Sequence, residues 1–306
     1  MSENLHWTIG QVRITRLVEM ASTRPAGGPE STLPDAWPAE VRQIPWLVPD
    51  FADAQGHLHL SVHALLVETP TRRIVVDTCT GNGKRRSMAR FDRLATDFLA
   101  RLEAAGFGRT AVDGVVCTHL HIDHVGWNTL YENGRWVPTF PQARYYFGRQ
   151  EWQHWEAESR AAPGEGACLP GQAAMLDPQA VYADSIGPVL AAGLVELVDT
   201  DARISPEIRL LPTPGHTPGH VSVLVESQGQ SAVITGDMLH HPCQIARPAW
   251  GSAFDSDAAR AQQTRLDFFA RFAESGTLVI GTHFGGPTAG LLTRGDGGYR
   301  LVGCRG

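Results

Sequence analysis

The sequence predicts an α/β fold, a sandwich assembled from two similar halves. Two observations carry this reading. Short apolar runs alternate with helically spaced ones along most of the chain, the pattern of strands joined by helices. The chain also echoes itself. Arg73-Ile-Val-Val-Asp77 resembles Ser231-Ala-Val-Ile-Thr-Gly-Asp237, and Val115-Val-Cys-Thr-His119 resembles Leu278-Val-Ile-Gly-Thr-His283. Each half thus reads as a strand ending in an acid, a helix, and a strand ending in Thr-His. A length of 306 residues with 42% hydrophobic and 19% charged side chains fits a folded chain able to bury a large core. A single domain over residues 1–306 is expected.

In chain order, Val12 to Val18 and Leu58 to Val67 read as strands, and Arg73 to Asp77 as a short buried one. Between the first two, residues 22–56 are rich in Pro, Gly and Trp, with prolines at 25, 29, 34, 38, 45 and 49. A connection this long is an arm or lid rather than an idle loop, and Trp37, Trp46 and Phe51 argue for packed chain within it. The arm is expected to cover a pocket mouth, line a subunit contact, or both. Phe91, Leu94, Phe98, Leu99 and Leu102 follow helical spacing, so a helix is expected over Arg90 to Ala105, stopped by Gly106. Val112 to Cys117 is the next buried strand. Helices over Gln150 to Ser159 and Ser185 to Ala192 precede strands at Val195 to Val198, Ile208 to Leu211, Val221 to Val225 and Ala232 to Thr235. A long helix over Asp257 to Glu274 puts Leu266, Phe269 and Phe272 on one face, and Thr277 to Ile280 is the last buried strand.

The formal charge of −6 argues against binding through phosphate neutralisation, so no nucleic-acid partner is expected. Lys84, Arg85 and Arg86 read as a solvated turn. No run reaches the roughly 18 apolar residues of a membrane span, so no membrane partner is expected, and the start of the chain lacks the apolar region of a signal peptide. Cys79, Cys117, Cys168, Cys243 and Cys304 are odd in number and form no CxxC pair. They read as free thiols in a reducing cytoplasm.

The chemistry is concentrated in the histidines. Thr118-His119-Leu120-His121-Ile122-Asp123-His124-Val125-Gly126 places four metal-capable side chains directly after a buried strand. Imidazole nitrogen and carboxylate oxygen are ligands of zinc and similar divalent ions. His119 and His121 project to one side of an extended segment, and the turn at Asp123 and His124 presents two more ligands to a second ion. Further candidates sit where other strands end: His216 in Pro214-Gly-His-Thr-Pro-Gly-His220, Asp237 and His283. Five histidines and two aspartates are too many for one closed structural zinc, which is usually rich in Cys. They suit two ions with open positions.

In their order, and over most of the chain, these motifs resemble the metallo-β-lactamase superfamily. The resemblance implies a four-layer αββα sandwich with a two-metal site at one edge of the sheets. It implies that His119, His121 and His216 hold the first ion, that Asp123, His124 and His283 hold the second, and that Asp237 bridges both. Two divalent ions are the implied cofactors, zinc first, with iron and manganese as alternatives. Asp77 matches the family's early structural aspartate, whose role is to orient ligands by hydrogen bonding. Within the family the chain is most similar to the lactonase and methyl-parathion-hydrolase-like branch, where Gly236-Asp237-Met-Leu-His240-His-Pro-Cys-Gln244-Ile-Ala-Arg-Pro248 resembles the stretch after the bridging aspartate. His240 stands where acyl-homoserine-lactone lactonases place a tyrosine. That departure sets the chain apart from them and leaves ester, lactone and phosphotriester hydrolysis open.

The implied reaction is hydrolysis of a small-molecule lactone, ester or phosphotriester by a hydroxide shared between the ions, whose charge lowers the pKa of the water. Asp123 or Asp237 is the expected proton acceptor, and His240 the expected general acid or oxyanion donor. Small-molecule pockets are mostly apolar. Trp127, three residues after His124, is expected in the wall, with Trp37, Trp46 and Phe51 of the arm and Trp250. Two other readings of the motif stay open: a mononuclear iron oxidoreductase of the persulfide-dioxygenase kind, and a glyoxalase-II-like thioesterase. A homodimer is an assembly the arm would allow.

Overall fold

The computed structural model describes residues 4–161, 176–295 and 297–304. It is mixed α/β, with two large sheets and one small ribbon among the described residues. The first sheet begins with β1 (His6–Ile9), β2 (Val12–Arg24), β3 (Leu58–Glu68), β4 (Arg73–Val76) and β5 (Gly114–Val116). A ribbon of β6 (Thr129–Glu132) and β7 (Arg135–Pro138) follows, and β8 (Arg144–Gly148) and β9 (Val195–Val198) complete the sheet in the order β1-β2-β3-β4-β5-β8-β9. The second sheet takes β10 (Ile208–Pro212), β11 (Val221–Ser227), β12 (Gln230–Ile234), β13 (Leu278–Ile280), β14 (Ala289–Gly295) and β15 (Gly298–Gly303) in sequence order. The chain divides into two compact units, one of Arg13–Glu19 and Val62–Thr200, the other of Met1–Val12, Met20–Ser61 and Asp201–Gly306.

In the unit that holds residues 62–200, β3 and β4 pair antiparallel with Leu65 opposite Val76. Strands β4, β5, β8 and β9 then run parallel. Parallel strands are covered on both faces and read as unbroken apolar runs. Accordingly Ile74, Val75, Val76, Val115, Val116, Tyr145 and Phe147 are all buried. The helix Phe98–Ala104 lies between β4 and β5 in the chain, and the helix Arg149–Arg160 between β8 and β9.

In the other unit β12 and β13 are parallel, with Ala232 opposite Leu278, and the remaining neighbours are antiparallel. The helix Ala258–Phe272 connects β12 to β13, started by Asp257, whose carboxylate accepts from the Arg260 N–H at 2.9 Å. The echo in the sequence therefore marks equivalent strands: β3-β4-β5 and β11-β12-β13 are each an antiparallel pair followed by a parallel one. The Asp77 N–H donates to the Val116 carbonyl in one, and the Thr235 N–H to the Ile280 carbonyl in the other.

Within this second unit the arm is core. Leu33, Ala36, Val41, Ile44, Leu47, Phe51 and Ala52 are buried together with Phe268, Phe269, Phe272 and Phe284. His241 fastens the arm: its Nε2 donates to the Phe51 carbonyl at 2.9 Å, while Nδ1 accepts from the Cys243 N–H at 3.1 Å. Burial pushes the His241 pKa down to about 4, so the ring is neutral, as those two bonds require.

Several expectations need correction. The helix expected over 90–105 is α-helical only at Phe98–Ala104, with a 3₁₀ turn at Ala89–Phe91, because Arg93 sits at φ +48° and the Leu94 carbonyl is drawn off to the Gly83 N–H. The helix expected over 185–192 starts at Gly187, after a wide π turn at Tyr182–Ile186. Leu266 is exposed, and the buried stripe of its helix is Ala261, Thr264, Arg265, Phe268, Phe269 and Phe272. Strand β2 extends to Arg24, into the stretch assigned to the arm.

Lys84 and Arg86 are not a solvated turn. Both are buried, with the Lys84 Nζ donating to Thr129 Oγ1 at 2.8 Å and to the Asp184 carbonyl at 2.9 Å, and Arg86 gripping the Asp184 carboxylate with both Nη atoms. Cys79, Cys117 and Cys243 are free and buried, and Cys304 is free and half-buried; Cys168 lies outside the described residues. Among the described residues no helix is long and apolar enough to cross a membrane.

Candidate metal centre

All seven candidate ligands stand on loops that follow the carboxyl ends of strands: His119 to His124 after β5, His216 after β10, Asp237 after β12 and His283 after β13. A rigid sheet carrying ligands on short loops is how a fold holds side chains at fixed spacing.

Around β5 the organiser is Asp77, buried at φ +57° just beyond β4. Its Oδ1 accepts the Thr118 N–H at 2.8 Å. Its Oδ2 accepts the Thr118 hydroxyl at 2.8 Å and pairs with His124 Nδ1 at 2.8 Å. With Nδ1 committed, Nε2 is the atom that His124 could offer to a metal, and it lies 3.7 Å from Asp123 Oδ1. The His119 Nδ1 meets the Thr118 hydroxyl at 3.1 Å, and the His119 ring centre is 4.5 Å from that of His121 and 4.1 Å from that of His124.

Two acids outside the motif pin this segment. Glu151 accepts the Leu120 N–H at 3.1 Å and the Trp155 indole N–H at 2.6 Å, and the Trp155 ring meets His121 edge-on at 5.1 Å. Glu19 of β2 accepts from the Thr80 and Gly81 N–H groups and from the Trp127 indole at 2.7 Å. Burial raises the Glu19 pKa, against the pull of those hydrogen bonds.

Around β12 and β13, Asp237 sits among three imidazoles. Its Oδ2 is 3.6 Å from His216 Nε2 and 3.2 Å from His240 Nε2, and its Oδ1 is 3.2 Å from His283 Nε2. Again the Nδ1 atoms are committed: His283 to the Ser61 carbonyl at 2.9 Å, His216 to Asp255 Oδ1 at 3.0 Å. Thr282 donates its hydroxyl to Asp237 Oδ1 at 3.2 Å, as Thr118 does to Asp77, and the Asp237 N–H donates to His220 Nε2 at 2.8 Å. His240 is buried. Desolvation lowers its pKa, with Asp237 pulling the other way, and its Nδ1 has no hydrogen-bond partner among the described residues.

His119, His121, His216 and Asp237 offer ligand atoms within 4.8 Å of one another, and so do Asp123, His124 and His283. This donor set fits divalent ions. It is imidazole and carboxylate throughout, and four of the histidines have Nδ1 engaged by an oxygen, the arrangement that orients Nε2 towards a metal.

The expected pocket residues fare differently. Trp127 is buried, stacked on Phe98 at 5.8 Å with its N–H spent on Glu19, and Phe51 is buried edge-on to His241 and Phe284. Both are buried among core side chains. Trp46 and Trp250 pack partly buried against the core, and Trp37 is 54% exposed. Glu19, Ser61, Glu151, His220, Asp255 and Thr282 went unread in the sequence. Only His220 and Thr282 carried a signal, each beside a motif residue.

Known proteins resemble the chain in sequence and in fold. An N-acyl homoserine lactonase of Bacillus cereus is 24% identical over 226 residues, 68% of this chain and 76% of that protein. Another, from a Bacillus species, is 26% identical, and the match spans only about half of each, 50% of this chain and 48% of that protein. A solved hydrolase of the β-lactamase superfamily, AbOPH, superposes with a TM-score of 0.78 at 27% identity, covering 99% of this chain and 98% of that one. AidC, a dizinc quorum-quenching lactonase solved with a product, gives a TM-score of 0.77 at 21% identity, covering 98% and 96%. The α/β sandwich expected from the sequence is the fold these structures share with it. The sequence profile of the Metallo-beta-lactamase superfamily matches residues 58–283, from the start of β3 to the last histidine of the ligand set, and the chain belongs to that superfamily.

Proposed function

We propose that the chain is a metal-dependent hydrolase that uses two divalent ions, zinc in the first place, to cleave a small lactone, ester or phosphotriester. The observation that carries this reading is the pair of ligand groups, one of four side chains and one of three. A complete second group favours two ions over a mononuclear iron oxidoreductase. The lactonase relatives and the dizinc neighbour support the reaction class, and the buried free thiols support a reducing cytoplasm as its compartment.

Bound ions would polarise the substrate oxygen and bring the pKa of a water towards neutrality. The rest falls to the chain. Asp77, Thr118 and Ser61 hold the imidazoles by their Nδ1 atoms. Asp123 or Asp237 would accept the proton released on attack. His240 Nε2, 3.2 Å from Asp237 Oδ2, is the atom that would pass a proton to the departing oxygen.

The test is metal analysis joined to a hydrolysis screen of lactones, aryl esters and phosphotriesters. Close to two ions per chain with turnover on one of these classes is expected. A single iron with no hydrolysis of any class sinks the reading.

A further inference from the structure

One carboxylate outside the quoted motifs touches a candidate ligand. Asp255 lies 39 residues beyond His216 in sequence, yet its Oδ1 is 3.0 Å from His216 Nδ1, and both side chains are 1% exposed. Its Oδ2 accepts the Ser252 N–H at 3.0 Å and is 3.5 Å from Arg265 Nη1. Arg265 is a fully buried residue of the helix Ala258–Phe272, and its Nε donates to the Pro248 carbonyl at 3.1 Å. A buried carboxylate without a nearby cation is costly, so the guanidinium lets Asp255 stay ionised where it meets the imidazole.

The backbone around His216 is fixed as tightly. The Ser256 and Asp257 N–H groups donate to the His216 and Gly215 carbonyls, and Thr264 Oγ1 donates to the Pro214 carbonyl at 2.6 Å. Gly215 is at φ +132°, and a Cβ there would collide with the Ala261 backbone. The loop is therefore immobilised against the first turns of the helix, and the one remaining freedom of His216 is the orientation and tautomer of its ring.

We propose that Asp255, braced by Arg265, is the positioning residue that fixes this freedom: it holds His216 as the Nδ1–H tautomer and aims Nε2 at the first ion. This rests on the dinuclear reading above. It gives His216 the same device that Asp77 gives His124, so each ligand group contains one carboxylate-backed histidine.

The test is titration of the full-length, metal-stripped chain with zinc against a chromophoric chelator. Asp255→Ala is expected to weaken one of the two zinc steps by roughly 10–100-fold, the usual cost of losing such a partner, and to leave the other step unchanged. Because Asp255→Ala strands a buried guanidinium, the pair Asp255→Ala with Arg265→Met is made as well. It is expected to regain thermal stability without regaining zinc affinity. Asp255→Asn, which keeps an oxygen to accept from Nδ1–H, is expected to recover part of the lost affinity.

Wild-type zinc affinity in Asp255→Ala or in the double variant would overturn the proposal, as would an asparagine no better than alanine. A wild-type chain that takes up a single ion fails the dinuclear reading while leaving the Asp255 comparison intact on that ion.

Discussion

At Gly126, two residues past His124, there is no room for a methyl group. A Cβ would lie inside the carbonyl of Thr80, and both backbones are bound, Gly126 N–H to the Cys79 carbonyl and Thr80 N–H to Glu19. Gly126→Ala should therefore cost at least the upper end of the roughly 1–3 kcal/mol typical of overpacking, read as a fall in the denaturant midpoint. A midpoint equal to wild type would show that the loop can yield. His240→Ala tests chemistry instead. Loss of a general acid should slow alkyl esters and lactones by about 10²–10⁴-fold and spare nitrophenyl esters, whose leaving group needs no proton, with metal content unchanged. Equal losses on both substrate types would point to positioning rather than proton donation. The candidate ligands were legible at this scale because four of the seven fall in one short motif and the others end apolar runs. Asp255, Glu151 and Glu19 were not, since an acid earns its role from a partner that only the folded chain brings near.

Among the elements, the segment after β4 is anchored by charge. Lys84 reaches the π turn Tyr182–Ile186, with its ammonium 3.8 Å above the Trp136 ring. Burial, only partly offset by Asp184, lowers its pKa from 10.5 to about 7. Between those two values the unfolded chain binds the proton more tightly than the folded one, so this residue makes stability rise with pH across that window. Lys84→Met should flatten the rise in Tm between pH 7 and 10, and an unchanged slope would remove Lys84 as its source. The elements that sequence reading missed or overextended have separate causes. The ribbon β6–β7 was signalled by Asn133-Gly134, both at positive φ as a two-residue hairpin turn requires. Strand β1 alternates exposed and buried residues but is only four residues long, and β14 and β15 alternate too irregularly to stand out. The helix over 90–105 was overread because apolar spacing carries no information about the left-handed turn at Arg93.

For the molecule as a whole, two bound ions would add to stability by mass action, about 2.7 kcal/mol for one site at a hundredfold excess over its Kd. Chelation should therefore lower Tm, and zinc should restore it. A Tm indifferent to chelator would count against occupied sites. Deleting residues 25–56 should abolish cooperative thermal unfolding rather than merely alter kinetics, since seven of the arm's apolar side chains belong to the core. A sharp melt in the deletion, followed by far-UV circular dichroism, would restore the view of the arm as an appendage. The two-half architecture was legible because each half repeats a strand ending in an acid and a parallel strand ending in Thr-His. The packing of the arm was not, because the phenylalanines it packs with lie more than two hundred residues further along the chain.

That separation sets a timetable. Leu33, Ile44, Leu47 and Phe51 leave the ribosome more than two hundred residues ahead of Phe268, Phe269, Phe272 and Phe284, against which they are buried. At about 5–20 residues per second the arm waits roughly 10–50 s before those partners are made. The unit that holds Val62–Thr200 is by then almost entirely synthesised and free to collapse. Newly made chains thus pass through a stage in which one unit is finished and the other is a sticky, half-written sequence. Slower translation lengthens that stage, and holding chaperones would have their chief work there.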